Sequence, residues 1–303
     1  MNVLSLFDGI SCARIALEKA GIEVSNYYAS EIDKYAIQVA KKNFPTTIHL
    51  GDIRNITVSN LPKINLLIGG SPCQDLSQAQ KGVGLQGEKS SLFYEYIRLL
   101  KELEPTYFLL ENVKNKWGNL MNEYVGIDFI EINSGLFSAQ SRPRYYWTNI
   151  DFDKFPTEIT SLSIKDILEH NADEKYFFDR TEIHDFVNTT SKNENSSKDG
   201  LIKVFDLPKE VWNDHERQRR VFSIEGKSPT VLARADTIKI LIDNKVRKLT
   251  PLECERLQGV PDNYTSICSD AQRYKMVGNG FTVNVIEHFL KGINKKPLEF
   301  ACK

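Results

Sequence analysis

The chain has 303 residues, 41% hydrophobic and 26% charged, with a formal net charge of −1. That length suits two domains, or one large domain with an insertion, and the composition excludes both a disordered low-complexity polymer and a membrane-spanning protein. The near-zero total hides one basic stretch, because residues 201–250 hold 11 Lys and Arg against 7 Asp and Glu; such a surface fits a polyanion as well as a plain solvated face.

The elements alternate from the start. Residues 2–7 read as a strand, 11–20 as a helix stopped by Gly21, 24–30 as a strand, and 33–44 as a helix ending before Pro45. Further strands are predicted at 64–69, 106–112 and 126–132, with a helix over 90–103 whose Leu92, Phe93, Tyr96, Leu99, Leu100 and Leu103 form a core stripe. Strands alternating with helices imply βαβ units and a largely parallel sheet. After about residue 150 the rhythm changes. Residues 188–200, NTTSKNENSSKDG, are too polar to pack and read as a mobile loop. The run LTPLECERLQG carries a helix start at Thr250, with Pro251 at the first turn, Glu253 closing a capping box and Gly259 as stop.

The five cysteines, Cys12, Cys73, Cys254, Cys268 and Cys302, are scattered without paired or His-flanked spacing. That argues against a disulfide framework and a metal site, so no metal is expected. No basic and apolar leader precedes the first strand, and a reducing cytoplasmic setting is the expectation.

Chemistry concentrates at predicted strand ends. In an open α/β sheet these are where ligands collect. The turn LSLFDGISCA has only Gly9 where a dinucleotide site would carry a glycine triad, which disfavours a pyrophosphate-bearing cofactor. Glu31, at the second strand end, is placed to hold ribose hydroxyls, and Asp52, at a third, to meet an adenine amino group; each alone could be a solvated loop carboxylate. Together they describe a nucleoside without phosphates, and S-adenosyl-L-methionine is the candidate. Its methyl group needs a nucleophile. In KINLLIGGSPCQDLS the apolar run breaks at Gly69 and Gly70 and presents Cys73 just after Pro72, as either a nucleophile or a buried thiol. Glu111 and Asn112 end the strand near Tyr107, where a carboxyl can hold or share a proton. In AQSRPRYYW a strand period of two turns Gln140, Arg142 and Arg144 to one face, two guanidinium forks suited to a carbonyl oxygen or a phosphate.

GGSPCQDLS, LLENV, AQSRPRYYW, RKLTPLECERLQGVP and VGNGFTVNVI resemble, in order and spacing, the motif series of DNA (cytosine-5)-methyltransferases. The resemblance covers residues 1 to about 150 and about 221 to 290. Asp75-Leu76-Ser77 and RYYWTNI look most like the de novo methyltransferase branch, while the compact chain points to a bacterial or phage stand-alone enzyme.

The resemblance implies a Rossmann-like S-adenosylmethionine-dependent methyltransferase fold, with residues 1–165 plus 275–303 as the catalytic domain and 166–274 as a smaller target-recognition domain. It implies that Cys73, Glu111, Arg142 and Arg144 act on a flipped-out cytosine. The cofactor would be lined by Phe7, Asp8, Gly9 and Ile10, by Glu31, Ile32 and Asp33, and by Asp52, Ile53, Gly70 and Pro72, with Asn279 and Val283 closing the pocket from the far end of the chain. Ser77, Gln140, Arg219, Arg220, Arg234, Arg247, Lys248 and Arg256 are the candidates for DNA contact, with Arg217 beside them. Two departures stand out: Ser11 and Cys12 replace a second glycine of the first motif, and Gly280 stands where Ala or Ser is usual. Duplex DNA is the expected partner, with a restriction endonuclease as a possible companion, no membrane, and a monomer or weak dimer as the expected state.

Three other readings stay open on sequence alone. A transfer-RNA cytosine methyltransferase would use the same site, and a catalytically silent relative would bind DNA or a partner methyltransferase. A cysteine hydrolase would need a histidine, and of His49, His170, His184, His215 and His288 only His49 falls near a predicted strand end.

Overall fold

Apolar runs of four or five residues, interrupted by turns, become the strands of an α/β sheet because both faces of that sheet are covered. The computed structural model describes residues 1–72, 91–192, 195–235, 238–293 and 295–300. The chain divides into two compact units, one made of Met1–Asn133, Pro143–Lys154 and Val283–Lys303, the other of Ser134–Arg142 and Phe155–Thr282. The expected divisions at 165/166 and 274/275 thus differ from those observed, and the short segment Ser134–Arg142 belongs with the second unit.

The first unit carries β1 (Asn2–Leu6), β2 (Asn26–Ser30), β3 (Ile48–His49), β4 (Leu66–Gly70), β5 (Tyr107–Val113), β6 (Ile130–Asn133) and β7 (Pro143–Thr148). They form one seven-stranded sheet in the order β3-β2-β1-β4-β5-β7-β6. Pairings from β3 across to β5 are parallel, and β7 is antiparallel to both of its neighbours. The strand order reverses between β1 and β4, so the loops leaving their carboxyl ends part there and open a crevice. Residues 7–11 leave one side of that crevice and residues 71–72 the other.

Helices α1 (Cys12–Lys19), α2 (Lys34–Asn43), α3 (Leu92–Leu103) and α4 (Gly118–Val125) connect these strands. The later helix Val283–Leu290 packs against α1. Leu4, Leu6, Leu67, Phe93, Tyr96, Phe108, Leu110 and Trp147 are fully buried in the main core, each contributing about 1.5–3 kcal/mol by leaving water. The two glycines ending β4 have a packing cause at the first of them. A Cβ on Gly69 would lie 2.8 Å from the Leu6 carbonyl oxygen and 3.3 Å from the Tyr96 ring. α4 was not predicted, and its N-cap, Trp117, offers no side-chain capping bond that would mark its start. The predicted strand at 126–132 shrinks to β6 because Gly126, at φ +84, caps α4 and Asp128 accepts a hydrogen bond from Asn122.

The second unit holds β8 (Asn195–Ser196), β9 (Ile202–Asp206), β10 (Arg220–Ser223), β11 (Lys239–Ile242) and β12 (Lys245–Lys248) in the order β12-β11-β10-β9-β8. Asp243 and Asn244, both in the left-handed region, close the two-residue turn between β11 and β12. α5 (Thr181–Thr189), α6 (Glu216–Arg219), α7 (Pro251–Gln258) and α8 (Asp270–Asn279) complete it around Ile183, Val187, Val204, Phe205, Leu207, Val221 and Val246. α7 carries the expected box: the Thr250 hydroxyl accepts from the Glu253 amide, the Glu253 carboxylate accepts from the Thr250 amide, and Gly259 follows at φ +71. Of the polar stretch 188–200, read from its composition as a loop, the described residues include regular structure. The stretch finishes α5 and supplies β8, whose backbone pairs with Lys203 and Ile202 across a turn at Gly200. Among the described residues no helix is long and apolar enough to cross a membrane.

Candidate active site

At the end of β1 the backbone takes an uncommon path, with Phe7, Gly9 and Ser11 at φ +56, +58 and +61. A glycine accepts this freely, but a bulky aromatic there is strained and persists only when its surroundings dictate it. Part of that dictation comes from Asp8, 7% exposed. Its Oδ1 accepts the Tyr27 hydroxyl at 2.6 Å and its Oδ2 the Ser11 hydroxyl at 2.5 Å. Burial raises the Asp8 carboxyl to about 6, against the lowering effect of those hydroxyls.

Glu31, just past β2, is wired to the same loop. Its Oε2 accepts the Gly9 amide at 2.8 Å, while its Oε1 accepts the amides of Ile32 at 2.7 Å and Asp33 at 2.8 Å. Ile32 stands 71% exposed beside it. Asp33 instead caps α2, accepting from the Tyr35 and Ala36 amides. Asp52 differs from expectation: its carboxylate is gripped by the Arg54 guanidinium and amide, which hold it below the usual range. Ile10 and Ile53 turn into the interior, so their side chains serve packing and present no free face.

On the other side of the crevice, Glu111 of β5 stands in register with Gly70 of β4 and Tyr146 of β7. Its carboxylate meets Arg144 Nε at 3.0 Å, each side chain 12% exposed. The Glu111 carboxyl, expected to hold or share a proton, is engaged in an ion pair. Asn112 points oppositely and, nearly buried, donates to the Ser71 hydroxyl at 2.8 Å and the Ser71 carbonyl at 3.3 Å. This tethers the backbone at the residue before Pro72, a contact the sequence did not signal. Cys73 and Ser77 lie outside the described residues.

Gln140, Arg142 and Arg144 do not share a face. β7 begins only at Pro143, so the strand alternation assumed for 140–144 does not exist there. Arg142 spends its guanidinium on the carbonyls of Val231 at 2.9 Å, Gly278 at 3.0 Å and Gly280 at 3.1 Å, all within the second unit. Gln140, fully buried, donates to the Gln258 side chain and the Leu257 carbonyl and accepts the Val231 amide. Arg142 is thus a brace of the second unit rather than a group open to substrate, and Gln140 is equally closed to DNA.

Arg247 also corrects an expectation. It is 1% exposed and forks onto both oxygens of fully buried Glu253, at 2.8 and 2.6 Å. The Glu253 oxygens further accept the amides of Thr250 and Glu169. Arg256 grips Asp262 and the carbonyls of Ile167 and Leu168, and Arg219 the carbonyl of Leu207. Arg220 pairs with Glu216. Arg217 is exposed, Arg234 is half exposed and paired with Asp214, and Lys248 is half buried. Asn279 ends α8 in the second unit, exposed, while Val283 opens a helix of the first unit with its side chain buried.

The family model for C-5 cytosine-specific DNA methylase matches residues 1–127 and 135–295. The chain belongs to the C-5 cytosine-specific DNA methylases. This methylase is similar to the Type II methyltransferase M1.ScrFI of Lactococcus lactis subsp. cremoris, 32% identical over 98% of this chain and 78% of the relative. It is similar also to the Type II methyltransferase M.NlaX of Neisseria lactamica, 31% identical over 94% of this chain and 93% of the relative. A phage relative is the orphan methyltransferase M.SPRI of Bacillus phage SPR, 26% identical over 96% and 97% of the two chains. Among solved structures, the S. pombe Dnmt2 methyltransferase superposes with a TM-score of 0.68 at 17% identity, covering 97% of this chain and 98% of that one. A putative DNA modification methyltransferase from an E. coli prophage gives 0.67 at 22%, covering 98% and 99%; at such identities both speak to the fold. The methylase acts on carbon 5 of cytosine in DNA.

Proposed function

We propose that the methylase moves the methyl group of S-adenosyl-L-methionine to a cytosine flipped out of duplex DNA, through a transient bond between the cytosine ring and Cys73. The observation that carries this reading is the Glu111–Arg144 pair, set beside the end of the strand that leads to Pro72 and Cys73.

The cofactor side of the crevice fits a nucleoside. A Cβ on Gly9 would meet nothing nearer than the Phe7 carbonyl oxygen at 4.0 Å, so the loop leaves open space above it. Glu31 accepts three amides, and a carboxylate with about four lone-pair positions keeps one for a ribose hydroxyl. The exposed Ile32 offers an apolar face to an adenine ring. Arg54 leaves Asp52 little capacity for the adenine amino group. S-adenosylmethionine would supply an electrophilic methyl group on a sulfonium.

The residues then divide the work. The Cys73 thiolate adds to carbon 6 of the ring, and the displaced electron pair makes carbon 5 nucleophilic. Glu111, protonated, donates to N3 so that charge does not accumulate on the ring, and Arg144 holds the O2 side while orienting Glu111. Once carbon 5 carries the methyl group, a base removes its proton, the electron pair re-forms the ring double bond, and the thiolate leaves. Arg142 is omitted, because its two terminal guanidinium nitrogens are committed to three carbonyls.

Arg217, Arg234 and Lys248 are the cations of the second unit we assign to DNA phosphates. A cytoplasmic monomer or weak dimer is the proposed setting, and the Type II names of its relatives support a companion restriction endonuclease. The test is nucleoside mass spectrometry of duplex DNA incubated with S-adenosylmethionine. 5-Methylcytosine is expected with the wild type and none with Cys73→Ala; methylation by Cys73→Ala would overturn the covalent step.

A further inference from the structure

Asp8 resembles a cofactor contact in sequence, yet its carboxylate faces inward. Both oxygens are occupied, one by the Tyr27 hydroxyl at 2.6 Å and the other by the Ser11 hydroxyl at 2.5 Å, and the side chain is almost fully shielded. Ser11 is itself one of the residues held at positive φ, and it is the N-cap of α1. Tyr27 comes from β2, four residues before Glu31. One carboxylate thus ties the two ends of the loop at 7–11 to the strand that delivers the ribose-holding acid. Glu31 closes the same circuit from the other side through the Gly9 amide.

We propose that Asp8 is a positioning residue for the methyl donor: with Tyr27 and Ser11 it holds residues 7–11 in the conformation that cradles the nucleoside, and its ionised form is the working one. The proposal rests on reading this loop as the cofactor site. The chemistry favours a carboxylate over an amide, because two hydroxyl donors converge on it and only an acceptor-only group takes both without reorientation. The short O–H···O separations belong to the charge-assisted class.

A buried carboxylate kept ionised is a burden on the fold. Burial lifts Asp8 to about 6, and the negative Glu31 adds to that, while the hydroxyls of Ser11, Ser5 and Tyr27 pull the other way. A cation also faces this cluster: Arg14 of α1 lies 5.4 Å above the Tyr27 ring. Because the folded value lies above the ordinary 3.8, the folded state favours the protonated form, so ionisation as pH rises through about 6 costs stability. A residue kept for packing alone would not carry this cost. The neutral amide in Asp8→Asn therefore relieves the fold while spoiling the loop.

The experiment is isothermal titration calorimetry of S-adenosylhomocysteine into the full-length protein from pH 5 to 8, beside thermal melts, for wild type, Asp8→Asn and Tyr27→Phe. For Asp8→Asn at pH 7.5 we expect affinity weakened about tenfold, ~1.4 kcal/mol, with a melting temperature equal to or above wild type. Wild-type affinity should fall as pH drops through about 6, and Asp8→Asn should be flat across that range. Tyr27→Phe, which keeps the ring and loses one donor, should weaken binding less and move the wild-type pH midpoint upward. Affinity unchanged in Asp8→Asn, or lost in step with a lowered melting temperature, overturns the proposal while leaving the cofactor site in place. Wild-type protein that does not bind S-adenosylhomocysteine at all overturns the site and the proposal together.

Discussion

Two of the arginine–glutamate pairs in this molecule, one in each unit, are built for opposite ends. In the second unit Arg247 and Glu253 are almost wholly shielded, and the carboxylate is saturated by the guanidinium fork and two amides. In the first, Arg144 Nε and Glu111 Oε1 meet at 3.0 Å, with 12% of each side chain still exposed. A saturated pair has no capacity left for a ligand, so its contribution is to hold α7 and β12 in register. A pair with spare donors and acceptors beside the end of β4 can exchange its own contact for one with substrate. The lesson is that an arginine's usefulness to a substrate is decided by how many of its donors the protein has already taken.

Glu111→Gln should break the open pair with the largest effect: kcat falling by about 10²–10⁴, read by single-turnover methyl transfer, with urea stability close to wild type. Arg247→Ala should do the reverse. Leaving Glu253 buried and unpaired should cost about 3–5 kcal/mol, read as a lower urea midpoint, while activity per folded molecule is kept. If Arg247→Ala instead lowered DNA affinity at full stability, the division between the pairs would fail. Gly69→Ala probes the floor beneath the open pair; its Cβ meets the Leu6 carbonyl, and about 1–3 kcal/mol of overpacking strain is expected, with a lower melting temperature. The smallest effect belongs to Arg234→Ala, which should reduce the salt slope of DNA binding by about 1 and leave the melt unmoved.

What the sequence displayed were features whose cause is local. The capping box at Thr250 and Glu253, the stop at Gly259 and the apolar strands all depend on residues a few positions apart. Glu31 was legible as a strand-end acid, whereas its bond to the Gly9 amide was not, since it spans 22 residues. Gln140 and Arg142 were misread for a different reason. The alternation rule holds only inside a strand, and nothing in AQSRPRYYW marks Pro143 as the first strand residue or assigns 134–142 to the other unit. Glu253 was legible as a cap, but its second partner Arg247 required knowing that β12 runs beside it. The inward turn of Asp8 had no sequence signal, because Tyr27 reaches it across neighbouring strands.

The order in which the chain leaves the ribosome adds a constraint. β7, the last strand of the large sheet, is complete at Thr148, but the helix that packs on α1 is not made until Leu290. At about 5–20 residues per second, translation leaves that face of α1 bare for on the order of ten seconds. A nascent sheet in that condition is exposed to chaperones and to other emerging copies, so the yield of folded methylase depends on how fast its final segment is synthesised.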